Sequence, residues 1–269
     1  MSDDLNKHHL QQDPWQQLKA FTNARIAIGR VGSSLPTSEI LNFGLSHAMA
    51  RDAVHLALDV NALETDLRSL GYNTMQVHSQ AADRATYLLR PDWGRRLDEP
   101  SLSLLQTAKT IAPIDLLIVV GDGLSSLAVS RHVIPLLIEL KKILPIEWSA
   151  NHVVIASQAR VAIGDEIGQA LNANMVAMLI GERPGLSSPD SLGIYLTFNP
   201  KVGLSDADRN CISNVRPEGL QHAVAAKKLV WLAQEAMRLE VTGVMLKDES
   251  EMQEIDTNTT NEVEKKWIY

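Results

Sequence analysis

The chain has 269 residues, 45% apolar and 21% charged, with a formal net charge of −7. That is enough chain to bury a real core in one large domain or two small ones, and the balance is that of an ordinary globular protein. Four of the seven net negative charges sit in the tail from Lys247 to Tyr269, which carries seven acids against three lysines. Nothing in the body is basic enough to track a phosphate backbone, so nucleic acid is excluded as a main partner. One cysteine, Cys211, excludes an intrachain disulfide and fits a reducing compartment. Apolar runs stop at five or six residues and the first residues, "MSDDLNKHHLQQDPW", lack an apolar core, so the reading is of a chain without membrane span or secretory signal.

In chain order, residues 1–13 are polar and read as frayed. "PWQQLKAF" reads as a short helix with Trp15, Leu18 and Phe21 on one side. Gly29, Gly32, Ser33, Ser34 and Pro36 make a loop, and Pro36–Thr37 with Glu39 behind reads as a helix start. Leu41, Leu45, Met49, Ala53 and Leu56 then recur every three or four residues, one apolar stripe of a long helix. A second helix covers about 60–70 and stops at Gly71; Thr74–His78 reads as a short strand. "LLRPDWGRRLDEPS" is a turn-rich bridge.

Beyond residue 101 the pattern changes. "SLLQTAKTI" is helical, and "IDLLIVV" (114–120) is a wholly apolar run ending at Gly121, a strand covered on both faces. Val129, Val133, Leu136 and Leu140 keep helical register, with Pro135 as a possible kink or break. "HVVIA" (152–156), "MVAMLI" (175–180) and "LGIYLTF" (192–198) read as strands, "VAIGDEIGQAL" (161–171) as a helix, and Pro217 leads into a last amphipathic helix ending near Leu239. The alternation predicts an α/β chain: a helical N-terminal part (1–95), then a Rossmann-like, mostly parallel sheet domain (96–245), then an acidic tail (246–269).

In such a sheet, ligands bind beyond the carboxyl ends of the strands. Two loops qualify. "GDGLSS", after 114–120, is half a dinucleotide fingerprint without the third glycine, with Asp122 where a pyrophosphate would be repelled; the alternative is a tight turn with Asp122 capping a helix. "GERPG", after 175–180, sets Glu182 beside Arg183. Either both are merely solvated, or Glu182 accepts from a neutral, donor-rich ligand, which it suits better than a phosphate. Cys211 reads as a buried apolar filler or as a contact from a polar loop of Asp206, Asp208, Arg209 and Asn210; no neighbouring base makes it a nucleophile. Arg90, Asp92, Arg95 and Arg96 form either a structural salt-bridge turn or a docking surface. The eight histidines form no metal signature: His8–His9 lie in the frayed end, and His47 and His55 are too far apart on one helix to share an ion. No paired carboxylates, Ser–His–Asp set or P-loop is found, so no catalytic residue is assigned; the chain reads as a cofactor holder.

Several motifs in order, "ARIAIGRVGSSLPTSEILNFGLSHAMARDAV", "YLLRPDWGRRL", "GDGLS", "GDEIG", "IGERPGLSSPDSLGIYLTFNP" and "DADRNCISNV", resemble the small (light) subunit of ethanolamine ammonia-lyase over roughly residues 20–245. The resemblance implies an adenosylcobalamin enzyme that converts ethanolamine to acetaldehyde and ammonia by a radical mechanism. It implies that a large subunit, a TIM barrel, carries the chemistry, that the small subunit covers cobalamin at the interface, and that six chains of each kind assemble. The family's cobalamin contacts fall on Val161, Glu182 and Cys211; before Val161 this chain has Ala159–Arg160 where the family pattern has a "GR" pair. The D-x-H-x-x-G motif of base-off cobalamin folds is absent, so dimethylbenzimidazole is expected to stay on cobalt. A bacterial cytoplasmic setting is expected. Some family members begin with a longer segment that directs them to a bacterial microcompartment; about 20 residues precede "ARIAIGR" here, and encapsulation stays open.

Overall fold

The structure, a computed structural model, describes residues 10–11, 13–22, 24–109, 112–144 and 152–250. Most of the acidic tail, His8 and His9 lie outside the described residues. Two short strands, β1 (Leu10–Gln11) and β2 (Arg30–Val31), pair antiparallel. Between them Pro14–Phe21 forms a 3-10 helix capped by the Asp13 carboxylate, with Trp15, Leu18 and Phe21 exposed.

The first long helix, α1 (Thr37–His55), starts where Pro36 predicts. Its apolar stripe does not enter the core. Leu41 is 68% exposed, Leu45, Met49 and Leu56 are exposed as well, and Ala53 alone is buried. Helix α2 (Val60–Ser69) is capped by Asp59 and ends before Gly71, whose φ of +84° suits glycine. It buries Leu63 and Leu67. Strand β3 (Asn73–His78), helix α3 (Arg84–Leu89) and a turn at Trp93–Arg95 lead to α4 (Glu99–Ala108).

Apart from β8, the rest alternates as the sequence predicts: β4 (Ile114–Gly121), α5 (Ser126–Ile143), β5 (His152–Ser157), α6 (Ile163–Ala170), β6 (Ala173–Gly181), β7 (Leu192–Phe198), β8 (Asn210–Val215) and α7 (His222–Leu239). One sheet has the order β3-β5-β4-β6-β7-β8. The first four strands run parallel; β7 and β8 return antiparallel, so the sheet is mixed at one edge. β3 joins this sheet although it lies within residues 1–95.

β4 shows why its sequence is wholly apolar. Leu116, Ile118 and Val120 face one layer, with α2, α5 and α7; Leu117 and Val119 face the other, with α4 and α6. The α5 residues Val129, Val133, Leu136 and Leu140 are all buried in the first layer, each contributing about 1.5–3 kcal/mol of transfer free energy. Pro135 neither splits nor ends α5, because that packing holds the helix on both sides of it. Strand β8 was not predicted: only Ile212 and Val215 of its six residues turn inward, too sparse a pattern to read against a polar loop.

Candidate functional site

The loops after β4 and β5 enter helices on opposite faces of the sheet. This splits the chain at their carboxyl ends, the usual place for a ligand in an open sheet. Asp122 fills this gap. Its buried carboxylate accepts from Gln158 N at 3.0 Å and Ala159 N at 2.8 Å, tying the two loops together. Burial raises its pKa; the Ala159 amide and Arg84, 3.6 Å away, pull it back. Asp122 therefore does not cap α5, as one sequence reading had it. Ser125 does, through its hydroxyl and Ala128 N. The dinucleotide reading of "GDGLSS" loses its phosphate seat to this carboxylate.

Glycines then allow the β4 and β6 loops to touch. Gly123 has φ +58°, and a Cβ there would collide with Gly181 O. A Cβ on Gly181 would collide with Ser125 O. Leu124 N donates to Gly181 O at 2.9 Å, and the pair of loops forms one wall of a cavity of about 370 Å³. Tyr87, Arg160, Val161, Glu182, Arg183, Tyr195 and Ser213 line it. A larger groove of about 480 Å³ lies between α5 and α7, beside Ile138, Glu139 and His222, away from the strand ends.

Two of the three expected contact residues, Val161 and Glu182, thus meet in one cavity. Val161 opens the turn into α6, where Gly164 N donates to its carbonyl at 3.1 Å. Glu182 is held by a convergent set of donors. Ser191 Oγ and, at 3.3 Å, Asn214 N donate to Oε2, while Ser213 Oγ donates to Oε1 at 2.6 Å. Gly193 leaves the room for that carboxylate, since a Cβ there would stand 2.9 Å from Oε1. The solvated-turn reading of Glu182 fails on these contacts.

Cys211 is exposed, not a core filler. It lies opposite Tyr195, a residue of the cavity wall, in the β7–β8 ladder. Although the residue is exposed, partial desolvation of its sulfur by the surrounding strands pushes the thiol pKa up, against the pull of Tyr195, so the thiol stays protonated at neutral pH. Burial also raises Tyr195 itself. Neither side chain is set up as a nucleophile.

The polar loop before Cys211 is partly interior. Arg209 is buried and pairs with the equally buried Asp165 of α6. Burial raises Asp165 to about 6 despite the guanidinium. Glu166, the next residue, accepts from Arg96 Nη2 at 2.9 Å and Leu97 N at 2.7 Å. The first turn of α6 therefore anchors both the strand bearing Cys211 and the bridge after α3. In that bridge Arg90 and Asp92 form an exposed bidentate pair, a structural turn, while Arg96 serves α6.

Sequence reasoning missed Tyr87, Arg160 and Tyr195 as lining residues. Arg160 adjoins Val161 and carried that weak signal; the tyrosines come from elements whose pattern speaks only of packing. Among the described residues, no cluster of three or more His, Cys, Asp or Glu could hold a metal ion, and no helix is long and apolar enough to cross a membrane.

These features define a three-layer α/β protein with a cavity at the carboxyl edge of a mixed sheet, where hydroxyl, carboxylate and guanidinium groups meet. The family model for the ethanolamine ammonia-lyase light chain (EutC) matches residues 12–247. The chain is 52% identical over 260 residues to the ethanolamine ammonia-lyase small subunit of Pseudomonas fluorescens strain Pf0-1, covering 96% of this chain and 95% of that one. Against those of Pseudomonas putida strain W619 and Pseudomonas aeruginosa strain LESB58 the identities are 54% and 53%, with 93% and 94% of this chain covered and 94% and 95% of theirs. The chain belongs to the ethanolamine ammonia-lyase light-chain family, a family of lyase subunits.

Proposed function

We propose that this chain is the non-catalytic small subunit of an adenosylcobalamin-dependent ethanolamine ammonia-lyase and covers cobalamin at the interface with a large subunit. The observation that carries the reading is the joining of Val161 and Glu182 in one strand-end cavity, with Cys211 beside it. The cavity of about 370 Å³ is far smaller than a corrinoid, so it suits an edge of one, with the remainder held by a second protein surface. The exposed stripe of α1, together with exposed Leu89 and half-exposed Trp93, supplies apolar surface of the kind a subunit interface buries. On this reading residues 96–245, joined by β3 and by Tyr87 from the region 1–95, form the cobalamin-contacting unit, and the α1 face of the region 1–95 docks to the partner. The partner is a TIM barrel, and six chains of each kind assemble in the bacterial cytoplasm, inside a microcompartment where one is made.

The residues present fit the cofactor's periphery. Glu182 is an acceptor fixed in place by Ser191, Ser213 and Asn214, suited to an amide N–H of the corrin rim. Val161 offers an apolar contact and Cys211 a protonated thiol that touches without reacting. Adenosylcobalamin held by Val161, Glu182 and Cys211 would supply the radical chemistry of the elimination. This chain's part is to seat the cofactor and keep water from one edge of it.

The test is co-expression with a candidate large subunit, addition of adenosylcobalamin and assay of acetaldehyde from ethanolamine, with each chain alone as control. Activity from the pair alone is expected. A complex that co-purifies and binds the cofactor but yields no acetaldehyde overturns the substrate.

A further inference from the structure

We propose that Arg160 is a further ligand-binding residue of the cavity, and that the group it takes is the phosphodiester of the cofactor's nucleotide tail; the assignment rests on the cobalamin reading above. Arg160 is built into the wall rather than trailing from it. Its N–H donates to Gly94 O at 2.7 Å, and its stem lies so close to Gly94 that a Cβ there would stand 2.8 Å from Arg160 Cγ. Its guanidinium lies 4.3 Å from the ring centroid of the buried Tyr87. This placement is expensive to leave without an acceptor. The one side-chain hydrogen bond is a long 3.4 Å contact to Tyr87 O, and the buried Nε has no partner.

The neighbouring guanidinium shows the difference. Arg84 also lies over Tyr87, at 4.6 Å, and one of its buried nitrogens, Nη2, is likewise unpartnered; but its charge is matched by Asp122, and its Nε and Nη1 donate to the carbonyls of Val54 and Gly123, whereas Arg160 faces no carboxylate. Arg160 has no carboxylate within 4 Å among the described residues, and neither has Arg183, which lines the same cavity. Glu182, the cavity's one carboxylate, already accepts from two hydroxyls and a backbone amide, which leaves it one further acceptor site, and it forms no ion pair with either arginine. The cavity as folded therefore has donors and positive charge in excess. Corrin-rim amides are neutral, and the phosphodiester is the anionic group of cobalamin. A guanidinium fork set over an aromatic ring, 4.3 Å from the ring centroid, matches the two oxygens of that group. The sequence argument that Glu182 disfavours a phosphate does not carry over to the assembled cavity, where two arginines outweigh it.

The experiment uses the complex with the large subunit and follows equilibrium binding spectroscopically for three corrinoids: adenosylcobalamin, adenosylcobinamide, which lacks phosphate and nucleotide, and adenosylcobinamide phosphate, which restores the phosphate. Arg160→Met is expected to weaken adenosylcobalamin and the cobinamide phosphate by roughly 10- to 100-fold and leave adenosylcobinamide unchanged. Arg160→Lys should recover part of the loss by keeping the charge. Equal weakening of all three ligands, or no weakening of any, overturns the assignment and leaves Arg160 a contact to the corrin rim or a packing residue. Should Arg160→Met fail to assemble, Arg160→Lys and Arg160→Gln carry the same comparison. A wild-type complex that binds no corrinoid at all sinks the cobalamin reading, and this assignment with it.

Discussion

Glu182 accepts from three donors supplied by two different segments, so its role is set by placement as much as by charge. Glu182→Gln keeps the shape but trades one acceptor oxygen for a donor. Cofactor affinity of the complex should fall by about 1–2 kcal/mol, the worth of one charged hydrogen bond. An adenosylcobalamin titration indistinguishable from wild type would remove Glu182 from the site. Cys211 is the opposite case. Its thiol is held protonated, so Cys211→Ala should keep most turnover of the complex; loss of all activity with assembly intact would show that the sulfur reacts. At Gly181 the constraint is steric. Ser125 O occupies the space a Cβ would need, and Gly181→Ala should separate the two loops and lower the urea midpoint of unfolding along with cofactor affinity.

Among the elements, α6 does the most positioning for its eight residues. Asp165 and Glu166 follow the cavity residue Val161 and reach Arg209 and Arg96 on two other segments. Removing Arg209 alone leaves Asp165 buried without its partner, and Arg209→Met should cost about 3–5 kcal/mol in urea unfolding. The double variant Arg209→Met with Asp165→Leu should recover much of that, because the uncompensated charge is gone. A double variant as unstable as the single would mean that the segment is held by something other than this pair. Helix α1 contributes differently. Leu45 and Met49 are exposed, so Leu45→Glu with Met49→Glu should leave the chain's own thermal unfolding within the range of surface changes. The same variant should fail to co-purify with the large subunit. Unaltered co-purification would place the interface elsewhere.

At the scale of the molecule, two helices of one layer and the loop between β6 and β7 are tied together by a chain of side chains apart from the cavity. His222 of α7 meets His132 of α5 at 3.2 Å, and His132 stands 3.6 Å from Asp190, which is bound to Arg131 at 2.7 Å. Burial depresses both imidazole pKa values; Asp190 pulls His132 back up and Glu139 does so for His222. A depressed folded-state pKa means that the unfolded chain takes up the proton first. The stability these groups contribute is therefore complete above the ordinary imidazole value of about 6.5 and is lost as pH falls below it. The unfolding midpoint should decline on acidification through that range, and His132→Gln with His222→Gln should flatten the decline. An unchanged slope would show that other groups set it.

Apolar runs bounded by glycine and capping residues determined the strands β4, β5, β6 and β7 and the helix α5, because burial on both faces of a parallel sheet requires that composition whatever the partners are. Motif order determined the family, and the strand-end position of "GERPG" pointed to Glu182. Only the tertiary structure decided that Asp122 closes the nucleotide crevice, that the α1 stripe faces outward and that Cys211 is exposed on an edge strand. It alone brought Tyr87, Arg160 and Tyr195 to one cavity. The physical reason is the range of the interactions. Periodicity and capping act within a few residues, so a single chain segment records them. The site is made by side chains 73 residues apart, as Arg160 and Tyr87 are, and their meeting depends on strand order and register that no local pattern encodes.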